Sequence, residues 1–289
     1  MKTETPETAR SLVELIAGFG SCAVAFSGGV DSAVVAKAAQ LALGPAAVAV
    51  TGRSASLASG ELEAAIHLAG LIGIRHVVVD TDELAQAEYA ANGPDRCFHC
   101  KTELYTQLES LAGELGAATI ANGANTDDLG DYRPGMRAAA QHRVRSPLAE
   151  CGLDKAAVRQ LALAWELPVW DKPAMPCLSS RVAYGEPVTP ERLEMIDSAE
   201  QFLRGLGLDN LRVRYHKGDL ARIEVPAEAI ARLSQPETRE AVLTELRRLG
   251  FQYVTLDLEG FRSGSMNRAL GLDQLPVLKS GGPKPTGPK

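Results

Sequence analysis

Two groups of residues in this chain have types and spacings that can do chemistry. The first is Ser27-Gly28-Gly29-Val30-Asp31-Ser32, between the apolar stretch Cys22 to Phe26 and the mostly apolar helical pattern Ala33 to Ala39. A strand, a tight glycine turn and a helix in that order wrap backbone N–H groups around phosphate. Gly28 and Gly29 allow a close approach to an anion, and Ser27, Ser32 and the first-turn amides supply donors. Asp31 does not favour a bare phosphate; it suits a helix cap or the orientation of a Mg2+ ion. The string is not a Walker loop, which places Gly-Lys-Ser/Thr at its end, because the next lysine is Lys37. Nor does it contain Gly-x-Gly-x-x-Gly.

The second group is sulfur. Cys97-Phe98-His99-Cys100 is a closely spaced pair, and Cys177 lies in Pro173-Ala174-Met175-Pro176-Cys177-Leu178-Ser179-Ser180-Arg181, which prolines hold extended as a loop. Three chemistries fit the pair. A thioredoxin-like redox couple would open a helix directly after the first strand of a different fold. A zinc site could be completed by Cys177 with His99 or His142. An iron–sulfur cluster could be held by three thiolates, leaving one iron open to a substrate atom or a sulfide. Cys177, beside Arg181 and hydroxyls, is also placed to be a reactive thiolate. Cys22 and Cys151 read as packing residues, and five cysteines are too few for a disulfide scaffold.

Supporting residues follow. Asn125 to Arg133 is dense in short acids; Asp128 or Asp131 suits a metal or the cysteine loop, and Arg133 a phosphate or carboxylate. Arg212 and Arg214 alternate along a strand and so share a face, where two guanidinium groups call for an anion or solvent. Bidentate recognition suits a nucleotide phosphate or a carboxylate, with Arg222 as a third partner. Glu200, on a helix, suits ribose binding or proton transfer. Ser265 and Asn267 suit a small polar nest, and Lys101 a phosphate.

The elements that must position these residues are legible as alternating strands and helices. Strands are expected at 22–27, 46–51, 74–79 and 117–121, with a short extended piece at 168–170; helices are expected at 6–18, 31–43, 59–72, 101–115 and from Asp154 to about 164. This alternation predicts an α/β fold, a parallel sheet with helices on both faces. Its ligands bind outside the carboxyl ends of the strands, where the Ser27 loop, Asn122 to Asn125 and Lys172 to Arg181 all lie. From about Gly185 the pattern changes to a helix over 190–206, a hairpin over 211–225, a helix over 236–250 and a strand over 253–258, a small α+β domain. The domain reading is 1–184, 185–279 and a disordered tail 280–289. The formal charge of −6 on 289 residues counts against a nucleic-acid surface. No apolar run is long enough for a membrane helix, the N-terminus does not read as a signal peptide, and the expected compartment is cytoplasmic. Exposed strand edges in the second domain predict a homo-oligomer.

Ser27 to Ser32 resembles the pyrophosphate (PP) loop of the ATP pyrophosphatase superfamily, which adenylylates carboxylates or nucleobases. Over roughly residues 10–275 the chain is similar to the LarE family of ATP-dependent sulfur transferases, carried by Ser27 to Ser32, Arg96 to Lys101, Asn122 to Pro134, Cys177 to Arg181, Arg212 to Arg222 and Gly264 to Asn267. The resemblance implies an adenine nucleotide alpha hydrolase-like fold. It implies ATP as co-substrate and pyridinium-3,5-biscarboxylic acid mononucleotide as substrate, whose carboxylates become thiocarboxylates for the nickel-pincer nucleotide of lactate racemase. Members with three cysteines imply a [4Fe-4S] cluster on Cys97, Cys100 and Cys177 that delivers sulfide from a sulfur donor. Members with one imply sacrificial loss of the sulfur corresponding to Cys177, leaving dehydroalanine. The family likeness also implies a hexamer. A tRNA thiolation enzyme is the enzymatic rival, disfavoured by charge. An amidotransferase-type synthetase would not need three cysteines, and a non-catalytic metal-binding module would not need the intact loop.

Overall fold

The structure is a computed structural model that describes residues 7–130, 134–262 and 265–266. The expectations for Asp131, Arg133, Gly264, Asn267 and the tail 280–289 lie outside the described residues. The first unit runs α1 (Glu7–Ala17), β1 (Cys22–Ala25), α2 (Val30–Leu43), β2 (Ala47–Arg53), α3 (Glu61–Ile72), β3 (Arg75–Asp80), α4 (Ala87–Ala90), α5 (Arg96–Leu115), β4 (Thr119–Ala121), α6 (Pro134–Gln141), α7 (Pro147–Glu150) and α8 (Lys155–Ala164). Its four strands are parallel, in the order β3-β2-β1-β4. The chain winds from β1 outward to β3 and then returns to β4 on the other side of β1. That reversal opens a crevice at the carboxyl ends of β1 and β4, where open α/β sheets bind ligands.

The helix behind the loop is built to be rigid. α2 is rich in alanine and valine, and Ala33 to Ala36, Ala38 and Ala39 are all buried. It is apolar nearly all round because α1, α3 and α8 cover it as well as the sheet. Small residues on β1 (Cys22, Val24) let it sit close, and the two share one core with Leu12, Leu68 and Leu161. A second cluster covers the opposite sheet face, with Val48, Val50, Tyr105 and Leu108.

The second unit contains α9 (Pro190–Gly205), β5 (Arg212–His216), β6 (Leu220–Glu224), α10 (Ala227–Leu233), α11 (Pro236–Arg248) and β7 (Tyr253–Leu256). β5 and β6 form an antiparallel hairpin, and β7 joins β6 in parallel. Thr189 caps α9 by accepting from the Arg192 amide at 3.3 Å, with Pro190 in the first turn. The core of this unit includes Ala58, Tyr89, Leu178 and Val182, so the Cys177 segment is packed into it.

Two expected elements differ. Residues 168–170 form turns closed by Trp170 N to Leu167 O at 3.2 Å and Lys172 N to Val169 O at 3.1 Å, not an extended piece; Pro168 brings no amide to a ladder. Beyond β4, it is Arg145 that bridges to Ala121 in parallel. α5 begins at Arg96 rather than Lys101, opened by a turn in which Arg96 N donates to Gly93 O and Phe98 N to Asp95 O. Cys97 and Cys100 therefore lie on the first turns of a helix, neighbours on one side of it. Among the described residues no helix is long and apolar enough to cross a membrane.

Candidate active site

The loop after β1 is shaped by its own hydroxyls. Ser32 Oγ donates to Gly29 O at 3.0 Å and accepts from Ser27 N at 3.3 Å, while the Ser27 and Ser32 hydroxyls lie 3.2 Å apart. Gly28 has φ +72°, and a Cβ there would meet Ala65 Cβ at 3.2 Å, so glycine is required on both counts. Gly29 occupies the N-cap of α2 without a side-chain cap, which leaves first-turn amides available to an anion. The loop after β4 presses against this turn: a Cβ on Gly123 would lie 2.7 Å from Ser32 N. Asp31 does not cap its own helix. Its Oδ1 accepts from Asn125 Nδ2 at 3.1 Å and its Oδ2 pairs with Lys155 Nζ at 2.5 Å. Asp128 accepts from the Asn125 amide at 3.0 Å.

The cysteines come from two segments that buried polar struts hold together. Cys97 is exposed, and Cys100 and Cys177 are half-buried. Asn92, fully buried with φ +56°, donates to Ala183 O at 2.8 Å and Glu186 O at 3.0 Å. Its side-chain oxygen accepts from Arg96, which also donates to Ser179 O at 2.8 Å. The Tyr89 and Ser179 hydroxyls meet at 2.6 Å, and Leu178 N donates to Ser56 O at 2.8 Å. Burial pushes the Cys100 thiol up to about 12; Lys101 opposes the shift, and Cys177, Glu83 and Cys97 add to it. Cys100 is thus within electrostatic reach of both other cysteines. Burial works against the charges of Arg96 and Lys101, yet the surrounding cysteines and tyrosines hold both above their ordinary values.

Cys97, Cys100 and Cys177 are the thiolates that either metal reading needs, and Arg96 and Lys101 place positive charge beside them. Among the described residues no three of His, Cys, Asp and Glu converge on a single position for zinc or for a cluster. His99 lies 3.4 Å from Asp95, and His142 lies 3.0 Å from Glu109.

The third part of the site is a buried cluster of arginines. Arg181, fully buried, donates from Nε to Glu200 Oε1 at 3.1 Å and from Nη2 to Glu200 Oε2 at 3.3 Å, and from Nη1 to the carbonyls of Pro176 and of Cys177, the latter at 2.7 Å. Glu200 also accepts from Arg204 at 2.8 Å and from Val213 N at 3.2 Å. Its oxygens are committed to holding Arg181, and through it the Cys177 loop, an arrangement different from the ribose or proton-transfer role expected from sequence. Arg214 grips Glu224 with two bonds of 3.0 and 2.8 Å, and Ser265 bridges the pair. Arg222 pairs with Asp257 and, at 3.2 Å, with Glu224. Among the described residues Arg212 pairs with no carboxylate; it donates to Leu211 O at 2.6 Å and Ala174 O at 3.2 Å and lies over the Phe261 ring. Burial and the neighbouring Arg181 pull its pKa down to about 10. Among the described residues four of these guanidinium groups pair with three carboxylates, Glu200, Glu224 and Asp257, and the fifth, Arg212, pairs with none. That imbalance calls for an anion.

Sequence reasoning did not find Asn92, Tyr89 or Lys155. Asn92 stands among loop residues, and its left-handed backbone is visible only in three dimensions. Lys155 follows the predicted cap Asp154, but nothing in the sequence aims it at a loop so distant along the chain.

A reversed-order parallel sheet with an uncapped glycine turn at its crevice is a PP-loop-like architecture. A family model described as NAD synthase matches residues 9–102. The pyridinium-3,5-bisthiocarboxylic acid mononucleotide synthase of Lactiplantibacillus plantarum is 38% identical over 266 residues, 92% of this chain and 95% of that protein. An uncharacterized protein of Synechocystis is 49% identical over 247 residues, 86% of this chain and 92% of its own. One from Methanocaldococcus jannaschii is 27% identical over 240 residues, 83% and 90% respectively. The chain belongs to the LarE family, that of the Lactiplantibacillus synthase, and is an ATP-utilizing enzyme related to LarE-type sulfur transfer.

Proposed function

We propose that the protein activates the carboxylates of pyridinium-3,5-biscarboxylic acid mononucleotide with ATP and replaces an oxygen of each with sulfur. The observation that carries this reading is Arg212, a buried guanidinium without a carboxylate, bonded to the carbonyl of Ala174 in the loop that bears Cys177. A buried guanidinium without a paired carboxylate, tied to the loop that bears Cys177, suits an anionic nucleotide as the recipient. Arg212, Arg214 and Arg222 are the residues to hold its phosphate or second carboxylate, with Ser265, which bonds Arg214, and Asn267 as further donors.

In the first step a substrate carboxylate oxygen bonds to the α-phosphorus of ATP. The bond to the bridging oxygen breaks, and pyrophosphate leaves with the electron pair. The amides of Gly28 and Gly29 and the hydroxyls of Ser27 and Ser32 receive the developing charge; Asp31 orients Mg2+, and Arg133 supports the anion. In the second step sulfur attacks the activated carbonyl carbon, and AMP departs. Arg181 and Glu200 keep the Cys177 loop in place for this attack, which puts Glu200 in the machinery as a positioning residue. Cys97, Cys100 and Cys177 would hold a [4Fe-4S] cluster, which would supply an open iron for a sulfide from a sulfur donor. The second reading, sacrificial transfer from Cys177, draws support from the placement of that residue on a loop apart from the helix of Cys97 and Cys100. A cytoplasmic homo-oligomer, hexameric as the family likeness implies, acting on no nucleic acid and no membrane, completes the proposal. The domain division at 184/185 belongs to it as well.

Nicotinic acid mononucleotide keeps the pyridinium carboxylate and the phosphate and serves as a binding probe. Calorimetry is expected to show binding, weakened about 10- to 100-fold in Arg212→Ala, as loss of a charge-assisted contact implies. Equal affinity in the two proteins contradicts the assignment.

A further inference from the structure

The peptide unit between Cys177 and Leu178 is held at both of its polar atoms. Its carbonyl, Cys177 O, accepts from Arg181 and from the Ser180 hydroxyl, each at 2.7 Å. Its N–H, on Leu178, donates to Ser56 O at 2.8 Å. Residues 173–176, which lead up to it, are all exposed. This peptide unit therefore does most to fix where the sulfur stands.

The carbonyl side is traced above to Glu200. The N–H side ends on a second buried carboxylate. Ser56 lies between β2 and α3, and Glu83 opens a one-turn helix, Glu83–Ala85, after β3. Both are buried, and Ser56 Oγ donates to Glu83 Oε1 at 2.8 Å. A carboxylate only accepts, so the Ser56 hydrogen points to Glu83. The Ser54 hydroxyl, 2.8 Å from Ser56 Oγ, donates in its turn, and the Ser56 amide donates back to Ser54 Oγ at 3.2 Å. Such a chain of donors, ending on a charged acceptor, strengthens each of its bonds. It fixes both the amide and the side chain of Ser56 and leaves its carbonyl to hold Leu178. The same segment is tied to α9: the Ser59 amide donates to the Asp197 carboxylate at 3.3 Å, and Gln201 Nε2 to Ser59 O at 3.4 Å. Glu83 is also within electrostatic reach of Cys100 and Tyr89, which puts it on the sulfur side of the site.

We infer that Glu83 is a positioning residue for sulfur transfer: acting through Ser56, it holds the Leu178 amide and so sets the place of Cys177, as Glu200 does through Arg181. The assignment rests on the sulfur-transfer reading above. The two carboxylates come from different units, Glu83 from the first and Glu200 from α9 of the second, and their effects meet on one peptide plane. None of these bonds involves the Ser27–Ser32 loop. The step that depends on them is therefore the second, in which sulfur bonds to the carbonyl carbon and the bond to AMP breaks.

The test is a single turnover of the full chain, reconstituted with iron and sulfide, with ATP, Mg2+ and pyridinium-3,5-biscarboxylic acid mononucleotide. Pyrophosphate and thiocarboxylate are read separately in wild type, Glu83→Ala, Glu83→Gln and Ser56→Ala, at equal iron content per chain. Glu83→Ala is expected to slow thiocarboxylate formation about 10- to 100-fold, the cost of a small misplacement of a reacting atom, with pyrophosphate release retained. Glu83→Gln keeps the acceptor oxygen and is expected to recover most of the loss. Ser56→Ala removes the hydroxyl link alone and is expected to reproduce Glu83→Ala; it decides the matter where Glu83→Ala does not fold. Thiocarboxylate formation at the wild-type rate in Glu83→Ala or Ser56→Ala overturns the inference and leaves the sulfur-transfer reading standing. Parallel loss of pyrophosphate and thiocarboxylate, or no recovery in Glu83→Gln, overturns it too, marking Glu83 as a general support of the fold. A wild-type protein that releases pyrophosphate and forms no thiocarboxylate removes both readings.

Discussion

Glu200 shows how burial changes what a carboxylate can do. On a helix in sequence it looks like a free acid, but in the fold it is fully enclosed and accepts from Arg181, Arg204 and the Val213 amide. A carboxylate so committed is a poor proton shuttle and a good anchor, because removing its charge strands a buried guanidinium. Glu200→Gln is expected to cost about 3–5 kcal/mol of unfolding free energy, the range for breaking a buried pair, measured by urea denaturation. A cost below about 1 kcal/mol, the level of a surface pair, contradicts the anchoring role. Arg212 is the opposite case. Its lack of a paired carboxylate among the described residues is visible only once Arg181, Arg204 and Arg214 are seen to crowd it, although its strand alternation with Arg214 already placed the two on one face.

At the scale of elements, the parts nearest the loop were the most legible. The apolar run before Ser27, the glycines and the small-residue helix after them have one reading, and β1, the turn and α2 follow it. The hairpin of β5 and β6 was equally plain, since alternation on both sides of Lys217-Gly218-Asp219 leaves little choice of register. The start of α5 was not legible. Gly93 and Pro94 suggest a loop, and only tertiary packing of Arg96 against Asn92 and Ser179 carries the helix back over both cysteines. The piece at 168–170 looked extended because Val169 and Trp170 favour strands, but three residues beginning with proline cannot hold a ladder. The long-range struts from Tyr89, Asn92 and Lys155 have no local signature at all.

For the whole molecule, the site lies where the two units share residues: Tyr89 and Leu178 pack into the second core, while Ser27 and Lys155 belong to the first. Stability of this assembly depends on pH through two histidines. Burial lowers the pKa of His76 below 6.5; burial, followed by Arg222 and Arg214, lowers that of His216. Facing His216 are Arg222, Arg214, Glu224 and Glu186; His76 bonds Thr51 at 2.8 Å and lies against Phe26. Below an unfolded pKa near 6.5 the unfolded chain takes up protons that the folded protein refuses, so stability falls as pH drops through that value. Urea denaturation between about pH 7.5 and pH 5.5 is expected to show this loss, with a shallower slope in His76→Gln; a flat profile in the wild type contradicts it.

The most direct test of sulfur transfer is anaerobic turnover of the iron- and sulfide-reconstituted protein with ATP, Mg2+ and pyridinium-3,5-biscarboxylic acid mononucleotide, read by mass spectrometry of both the nucleotide and the protein. The account predicts AMP, pyrophosphate and thiocarboxylate product in excess of enzyme, about four irons per chain, and Cys177 intact afterwards. Product capped at one sulfur per chain, with Cys177 converted to dehydroalanine, contradicts cluster delivery and establishes the sacrificial route. AMP formation without any thiocarboxylate contradicts sulfur transfer itself.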